Sequence, residues 1–152
     1  MVQVVDAGDK QVSRRVVVNA PASELYAIVA NPYRHHELDG SGTVGQSVSG
    51  PEQLGRGDEF STKMKMFGMT YTTTSTVTQA EEDRLIEWKL GVGQAWRWEF
   101  EPLGPNQTQV TETWDISGIP AVFEFGMRVM KMYNRNAEGI EETLRRLQQR
   151  YD

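Results

Sequence analysis

The chain has 152 residues, of which 38% are hydrophobic and 24% charged, and its formal net charge is −5 at pH 7. This composition predicts one globular domain over residues 1–152, with a core from about residue 12 to residue 150. The acidic balance argues against a general nucleic-acid binder, and the lack of cysteine excludes disulfides, thiol catalysis and cysteine–zinc sites. No apolar run approaches the ~18 residues of a membrane span, and residues 1–10 lack a signal-peptide block. We therefore expect a cytoplasmic protein without stable membrane insertion.

The first forty residues predict one strand and two short helical segments. Residues 1–10 are expected to be a loose lead-in, and Val12–Val18 is a strand rich in valine. Ala22–Ala30 has the apolar spacing of a short helix, which Asn31-Pro32 ends because the residue before proline disfavours the helical conformation. Tyr33–Leu38 predicts a further helical turn before a loop rich in glycine and serine.

From Thr43 onward, short β-rich runs separated by turn residues are typical of an antiparallel meander. Phe67-Gly68 predicts a tight hairpin turn. The alternation of apolar and polar residues indicates a sheet with one buried and one wet face. Six strands are predicted here: Thr43–Ser49, Asp58–Met66, Met69–Gln79, Leu85–Val92, Ala95–Leu103 and Gln107–Ser117.

The last third of the chain carries an apolar stripe at helical spacing, from about Pro120 to Tyr151. Such a stripe predicts an amphipathic helix about 45 Å long, which needs a large apolar partner. The sheet is that partner. The predicted fold class is therefore α+β: a curved seven-stranded antiparallel sheet, two short helices after the first strand, and a long C-terminal helix packed across the sheet.

Several stretches carry a family resemblance: Val16–Pro32, Leu54–Phe60, Trp98–Pro102 and the closing helix. Over residues 12–150 the chain resembles the START-like (SRPBCC) superfamily, and in particular its polyketide cyclase/dehydrase branch. One departure is residues 105–108, Pro-Asn-Gln-Thr, where relatives often have paired glycines; this affects loop shape only. The resemblance implies a helix-grip fold with a cavity between helix and sheet for sterols, lipids, aromatic polyketides or plant hormones.

The predicted inward face is rich in aromatic residues and methionine, which suit the wall of an apolar pocket. The alternative is that the same side chains pack a filled core; the resemblance favours a partly open interior. Met69 and Trp96 share this face. The candidate ligand-binding residues are Phe60, Met64, Met66, Tyr71, Thr73, Trp88, Trp98 and Trp114 from the sheet, and Phe123, Gly126, Met127 and Met130 from the helix.

Glu112 is the main candidate for acid–base chemistry. It shares the inward face with apolar neighbours, and burial without a partner would raise its pKa towards a catalytically useful range. The alternatives are an interior partner or exposure at the wet end of the strand. Tyr71 is the second catalytic candidate, because its phenol could orient a carbonyl. Thr62, Thr73 and Ser75 add hydroxyls that could bind a ligand or pair across strands.

His35 and His36 form the histidine pair of the chain. Adjacent side chains diverge and no third ligand stands at a recognisable spacing, so we predict no metal site and no cofactor. One imidazole could lie at a cavity mouth, but exposed loop histidines are favoured. Arg97 is expected on the solvated outer face of the sheet.

The first functional hypothesis is a module that binds a hydrophobic small molecule, aromatic polyketide-like or lipid-like. The alternative is a cyclase or dehydratase, in which Glu112, Tyr71 and a loop histidine move protons during an aldol condensation or water loss. A third hypothesis is a protein-interaction module, with a possible homodimer through the sheet edge.

Overall fold

The computed structural model describes residues 1–40, 44–129 and 131–152. Within them, eight strands form one antiparallel sheet in the order β1-β2-β8-β7-β6-β5-β4-β3. Seven of these strands were predicted. The eighth is β1, a three-residue strand within residues 1–10, which were expected to be a loose lead-in. The strands are β1 (Gln3–Val5), β2 (Gln11–Val18), β3 (Val44–Ser49), β4 (Glu59–Met66), β5 (Met69–Glu81), β6 (Leu85–Leu90), β7 (Gln94–Gly104) and β8 (Gln107–Asp115).

The helices complete the predicted α+β helix-grip architecture. The two short helical segments after β2 are α1 (Ala22–Val29) and a 3₁₀ turn (Pro32–Arg34) that leads into α2 (His35–Leu38). The C-terminal helical region consists of α3 (Ala121–Val129) and the long helix α4 (Met132–Arg150). Within residues 1–40, 44–129 and 131–152, no helix has both the length and the apolar character needed to cross a membrane.

The division between α3 and α4 corrects the expectation of one continuous helix from Pro120 to Tyr151. Lys131 adopts a left-handed backbone conformation with φ 58°, so α4 does not continue the path of α3. A non-glycine residue rarely takes this conformation because its Cβ crowds the neighbouring carbonyl. The two helices remain in contact through the Tyr133 hydroxyl, which donates to Glu124 Oε1 at 3.1 Å.

Side-chain alternation assigns each strand residue to the inner or the outer face of the sheet. Across β7 and β8, Trp98 pairs with Glu112 and Phe100 with Val110, and all four side chains are buried. The register shifts once between β5 and β6, at Thr78. The extra residue lets Ala80 rejoin the inner face after Val77, as a β-bulge does. The predicted turn Phe67-Gly68 has positive φ at both residues, as a type I′ hairpin turn requires.

Helix α4 is anchored at its C-terminal half. Ile140, Leu144 and Leu147 recur at helical spacing and are completely or almost completely buried, with α4 packed against β2 and β8. The segment after α2 approaches the same helix closely. The Gly40 amide donates to Thr143 Oγ1 at 2.8 Å, and a Cβ at Gly40 would lie 2.5 Å from the Thr143 nitrogen. Only glycine therefore permits this approach.

The outer face of the sheet carries an ion-pair network centred on Arg97. The alternation of side chains along β7 predicted that Arg97 lies on this face. Its guanidinium donates to Glu87 Oε2 at 3.1 Å and to Asp115 Oδ2 at 2.9 Å. Glu87 is buried and also accepts from Thr78 Oγ1. These hydrogen bonds outweigh burial and lower the pKa of Glu87. Arg97 is thus partly buried and paired, rather than freely solvated.

Candidate ligand-binding cavity

A cavity of about 720 Å³ lies between α4, the segment around α2, and the inner face of β4–β8. Its volume falls in the range of small-molecule sites in proteins. It is lined by Val29, His35, Leu38, Asp39, Gly40, Phe60, Thr62, Met64, Tyr71, Thr73, Ser75, Trp88, Leu90, Gln94, Trp96, Trp98, Glu112, Met132, Arg135, Asn136, Glu138, Gly139, Ile140, Glu142 and Thr143.

One wall is a cluster of three rings from α2, β4 and β6. The His35 ring stacks on Trp88 with centroids 5.1 Å apart, and Phe60 meets both rings edge-on at 5.6 and 5.5 Å. Edge-on and offset stacked rings attract through their quadrupoles, so the cluster forms a rigid apolar surface. Trp96 and Trp98 extend that surface along β7.

A hydrogen bond to the backbone of Val29 holds His35 in the cavity wall. Its Nε2 lies 2.7 Å from the Val29 carbonyl oxygen, which can only accept, so Nε2 carries the proton. Burial lowers the pKa of this imidazole, more than the Val29 bond and the nearby Asp39 raise it. The ring is therefore uncharged at neutral pH. The expectation that both histidines lie on an exposed loop is wrong, since His36 is also partly buried.

Glu112 reaches the cavity from the middle of β8. It is 6% exposed, and its Oε1 has no hydrogen-bond partner among the described residues. Arg14 stands opposite it in register on β2, but the Arg14 guanidinium binds Glu141 at 2.9 Å and the Ser13 carbonyl. Burial raises the pKa of Glu112 well above its ordinary value, and the negative charge of Asp39 adds to the effect. Glu112 is thus a buried acid whose Oε1 atom lacks a partner among the described residues.

Further polar groups lie around the same space. Thr62, Thr73 and Ser75 follow one another across β4 and β5 on the inner face. From α4, Asn136 contributes an Nδ2 that is buried and has no partner within the described parts of the chain. Gln94 is already engaged, because its Oε1 accepts from the Trp114 indole at 2.9 Å. The cavity therefore combines apolar walls with a few polar points.

Seven of the candidate ligand-binding and catalytic residues line the cavity, and so do Thr62, Ser75 and Trp96 of the predicted inward face. Phe60, Met64, Tyr71, Thr73, Trp88, Trp98 and Glu112 all line the cavity. Glu112 and Tyr71 therefore share one space, as the acid–base hypothesis requires, although Tyr71 is partly exposed.

The remaining candidates lie elsewhere. Trp114 is completely buried beside Trp96, its pairing partner on β7, and edge-on to Tyr133, and it is not part of the lining. Phe123 and Gly126 lie on α3 away from the lining, and Met127 of the same helix packs on the core. Met130 lies outside the described residues, and so does the side chain of Met66. Met69, expected inward, is exposed at the hairpin.

Sequence reasoning missed most of the contribution from the helices. Arg135, Asn136 and Glu138 of α4 line the cavity, although the sequence pattern did not select them as candidates. The signal that could have found Asn136 is its place beside the apolar arc, one residue before Ala137. The segment around His35 is too short to show a helical period. The burial of His35 depends on the positions of β4 and β6, whose Phe60 and Trp88 rings contact it.

Comparisons with known proteins agree with this architecture. Residues 9–152 match the sequence family described as "Polyketide cyclase / dehydrase and lipid transport". The chain is 50% identical to "Uncharacterized protein Rv0088" of Mycobacterium tuberculosis, over 99% of this chain and 68% of the relative.

Two solved structures have a similar fold. A START superfamily protein from Mycobacterium smegmatis superposes with a TM-score of 0.67 at 18% identity, over 93% of this chain and 96% of the other. The Polyketide_cyc-like protein Cgl2372 from Corynebacterium glutamicum gives 0.62 at 23% identity, over 93% and 91%. At these identities the likeness concerns the fold.

Proposed function

We propose that this chain, which belongs to the polyketide cyclase/dehydrase and lipid transport family, binds a hydrophobic small molecule in the cavity under α4. The ligand is aromatic polyketide-like or lipid-like. The observation that carries the proposal is a space of about 720 Å³ walled by Trp88, Trp96 and Trp98. Family membership supports the same class of ligand.

The physical basis is the burial of apolar area against rigid rings. Each square ångström of apolar surface removed from water contributes about 25 cal/mol. Tryptophan rings and the stacked His35–Trp88 pair are held before a ligand arrives, so little side-chain freedom is lost on binding. The hydroxyls of Thr73 and Ser75 can orient a ligand through hydrogen bonds without adding a net charge to the cavity.

Filling the cavity tests this function. Replacing Thr73, which lines the space, with tryptophan is expected to weaken binding of the neutral dye Nile red about tenfold, because the indole takes up part of the space and the overlap with the dye costs about 1–3 kcal/mol. The matched control is Thr72→Trp, one residue along β5 on the exposed face, which should bind the dye like the unmodified protein. The readout is dye fluorescence on titration, with circular dichroism to show that both variants fold. Equal affinities in the two variants would contradict a cavity site.

A cyclase or dehydratase activity is the second candidate, favoured by one observation: Glu112 is a buried acid in the same cavity as Tyr71. Burial raises the pKa of this carboxyl well above its ordinary value and favours the protonated form, which could deliver a proton to a leaving hydroxyl or a carbonyl oxygen. Loss of water from a β-hydroxy ketone in the unmodified protein, but not in Glu112→Gln, would favour this activity over binding alone.

A further inference from the structure

His35 has one ring nitrogen that is engaged and one that has no partner among the described residues. Val29 is the last residue of α1, so its carbonyl oxygen finds no N–H within the helix. His35 Nε2 lies 2.7 Å from that oxygen and donates to it. In the neutral imidazole Nδ1 then carries no proton and can only accept a hydrogen bond. Within residues 1–40, 44–129 and 131–152, no group donates to Nδ1.

The accessible surface of His35 belongs to the cavity. Protein surrounds the ring: Trp88 stacks on it with centroids 5.1 Å apart, and the Phe60 ring stands at 81° to it. The side chain is nevertheless only half-buried, and it is part of the cavity lining. In the described parts of the chain, Nδ1 of the neighbouring His36 is buried and unpaired, whereas Nδ1 of His35 is not closed off in this way. A ligand in the cavity can therefore reach the His35 imidazole.

We propose, building on the binding function above, that the ligand carries a hydroxyl group on its ring system, as a phenol does, and that this hydroxyl donates a hydrogen bond to His35 Nδ1. The rest of the molecule is apolar and lies against Trp88, Trp96 and Trp98. The proposal names a polar group on a ligand that the aromatic walls alone leave open, and it makes His35 the residue that selects this group.

The selection follows from the fixed orientation of the imidazole. A histidine that is free to turn can present a donor or an acceptor to a ligand. Turning His35 would break its bond to Val29 and leave the carbonyl of a residue that is 1% exposed without a partner, which is costly. A ketone, an ether or a carboxylate would bring its own lone pairs against the lone pair of Nδ1. A hydroxyl brings a proton.

The other polar groups of the inner face do not make this distinction. The hydroxyls of Thr62, Thr73 and Ser75 line the same cavity, and each can turn its hydrogen so as to donate or to accept. They can satisfy the oxygen of the ligand's hydroxyl as readily as a carbonyl oxygen. An ammonium group would also donate to Nδ1, but that contact replaces one of its three hydrogen bonds to water, and the loss of hydration opposes its binding.

Isothermal titration with 2-naphthol and 2-methylnaphthalene, which are nearly equal in size, isolates the hydroxyl. The titration is run at pH 8, where histidine, with its ordinary pKa of ~6.5, is neutral. His35→Phe keeps a ring against Trp88 and removes the acceptor, so it should lower the affinity ratio of naphthol to methylnaphthalene about three- to tenfold, the effect of one neutral hydrogen bond. The control His36→Phe lies outside the lining and should leave the ratio unchanged. Circular dichroism shows whether both variants fold.

Nitrogen-15 spectra of the unmodified, histidine-labelled protein test the contact without any substitution. The Nδ1 resonance of His35 should be that of an unprotonated nitrogen, and it should move upfield with 2-naphthol but not with 2-methylnaphthalene. A resonance that 2-naphthol leaves in place, an equal affinity ratio in the unmodified chain and a folded His35→Phe, or tighter binding of the ammonium probe 2-naphthylmethylamine than of 2-naphthol overturns the inference while the binding function stands. If neither the naphthalene probes nor Nile red binds, the binding function fails as well.

Discussion

Replacing Trp114 with alanine is expected to lower the free energy of unfolding by about 3–5 kcal/mol. The side chain is completely buried between the sheet and α4, where it meets the Tyr133 ring edge-on at 5.3 Å. Alanine removes the indole and leaves a void that the close-packed surroundings fill only in part. It also removes the donor to Gln94 Oε1. Urea denaturation followed by circular dichroism measures the loss.

The control is Phe125→Ala on α3, which removes an aromatic ring that is 68% exposed. Its effect should stay within about 0.5 kcal/mol, as for other surface substitutions. A milder variant, Trp114→Phe, should leave Nile red affinity unchanged because Trp114 lies outside the cavity lining. Comparable losses of stability for Trp114→Ala and Phe125→Ala would show that the indole is not a core residue.

Glu112→Gln is expected to make the protein more stable than the unmodified chain at neutral pH, and the advantage should disappear towards pH 4. Burial sets the pKa of Glu112 in the folded state above its unfolded value of 4.5. Between those two pKa values the folded chain holds a proton that the unfolded chain has lost. The stability of the unmodified protein therefore falls with rising pH, by about 1.4 kcal/mol per pH unit, and levels off above the folded pKa.

Urea midpoints measured from pH 4 to pH 9 for both proteins test this linkage, because contributions of other groups cancel in the difference. Glu112→Leu, which also carries no proton, should show the same slope against the unmodified chain. It should differ from Glu112→Gln only by an offset that does not depend on pH. A difference that stays flat across the range would contradict a buried, protonated Glu112.

The face of each strand was predictable because side chains alternate with a fixed period of two. Trp88, Trp98 and Glu112 were expected on the inward face, and the structure has them there. The alternation does not predict which of two neighbouring inward-facing rings lines the cavity. It does not distinguish Trp96, which lines the cavity, from its cross-strand neighbour Trp114, which does not. Which of two inward residues meets empty space depends on packing from other elements.

The C-terminal helical region shows a second limit of structure prediction from the sequence. The apolar stripe runs through both α3 and α4, so periodicity alone predicts one helix. The left-handed backbone at Lys131 separates them, and Val122 and Phe123 are exposed although they belong to the stripe. Nothing local in the sequence marks that position, since lysine is an ordinary helix former. The change of direction arises from tertiary structure.

The exposed apolar side chains of α3 provide the main rival site for a hydrophobic probe, and this determines the most direct test. We expect bound Nile red to give nuclear Overhauser effects to methyl groups of Met64, Thr73 and Ile140, all of which line the cavity. Methyl-labelled protein with an equimolar amount of dye would supply the measurement. Effects confined to Val122 of α3, with none to those three residues, would contradict the claim that the space beneath α4 is the binding site.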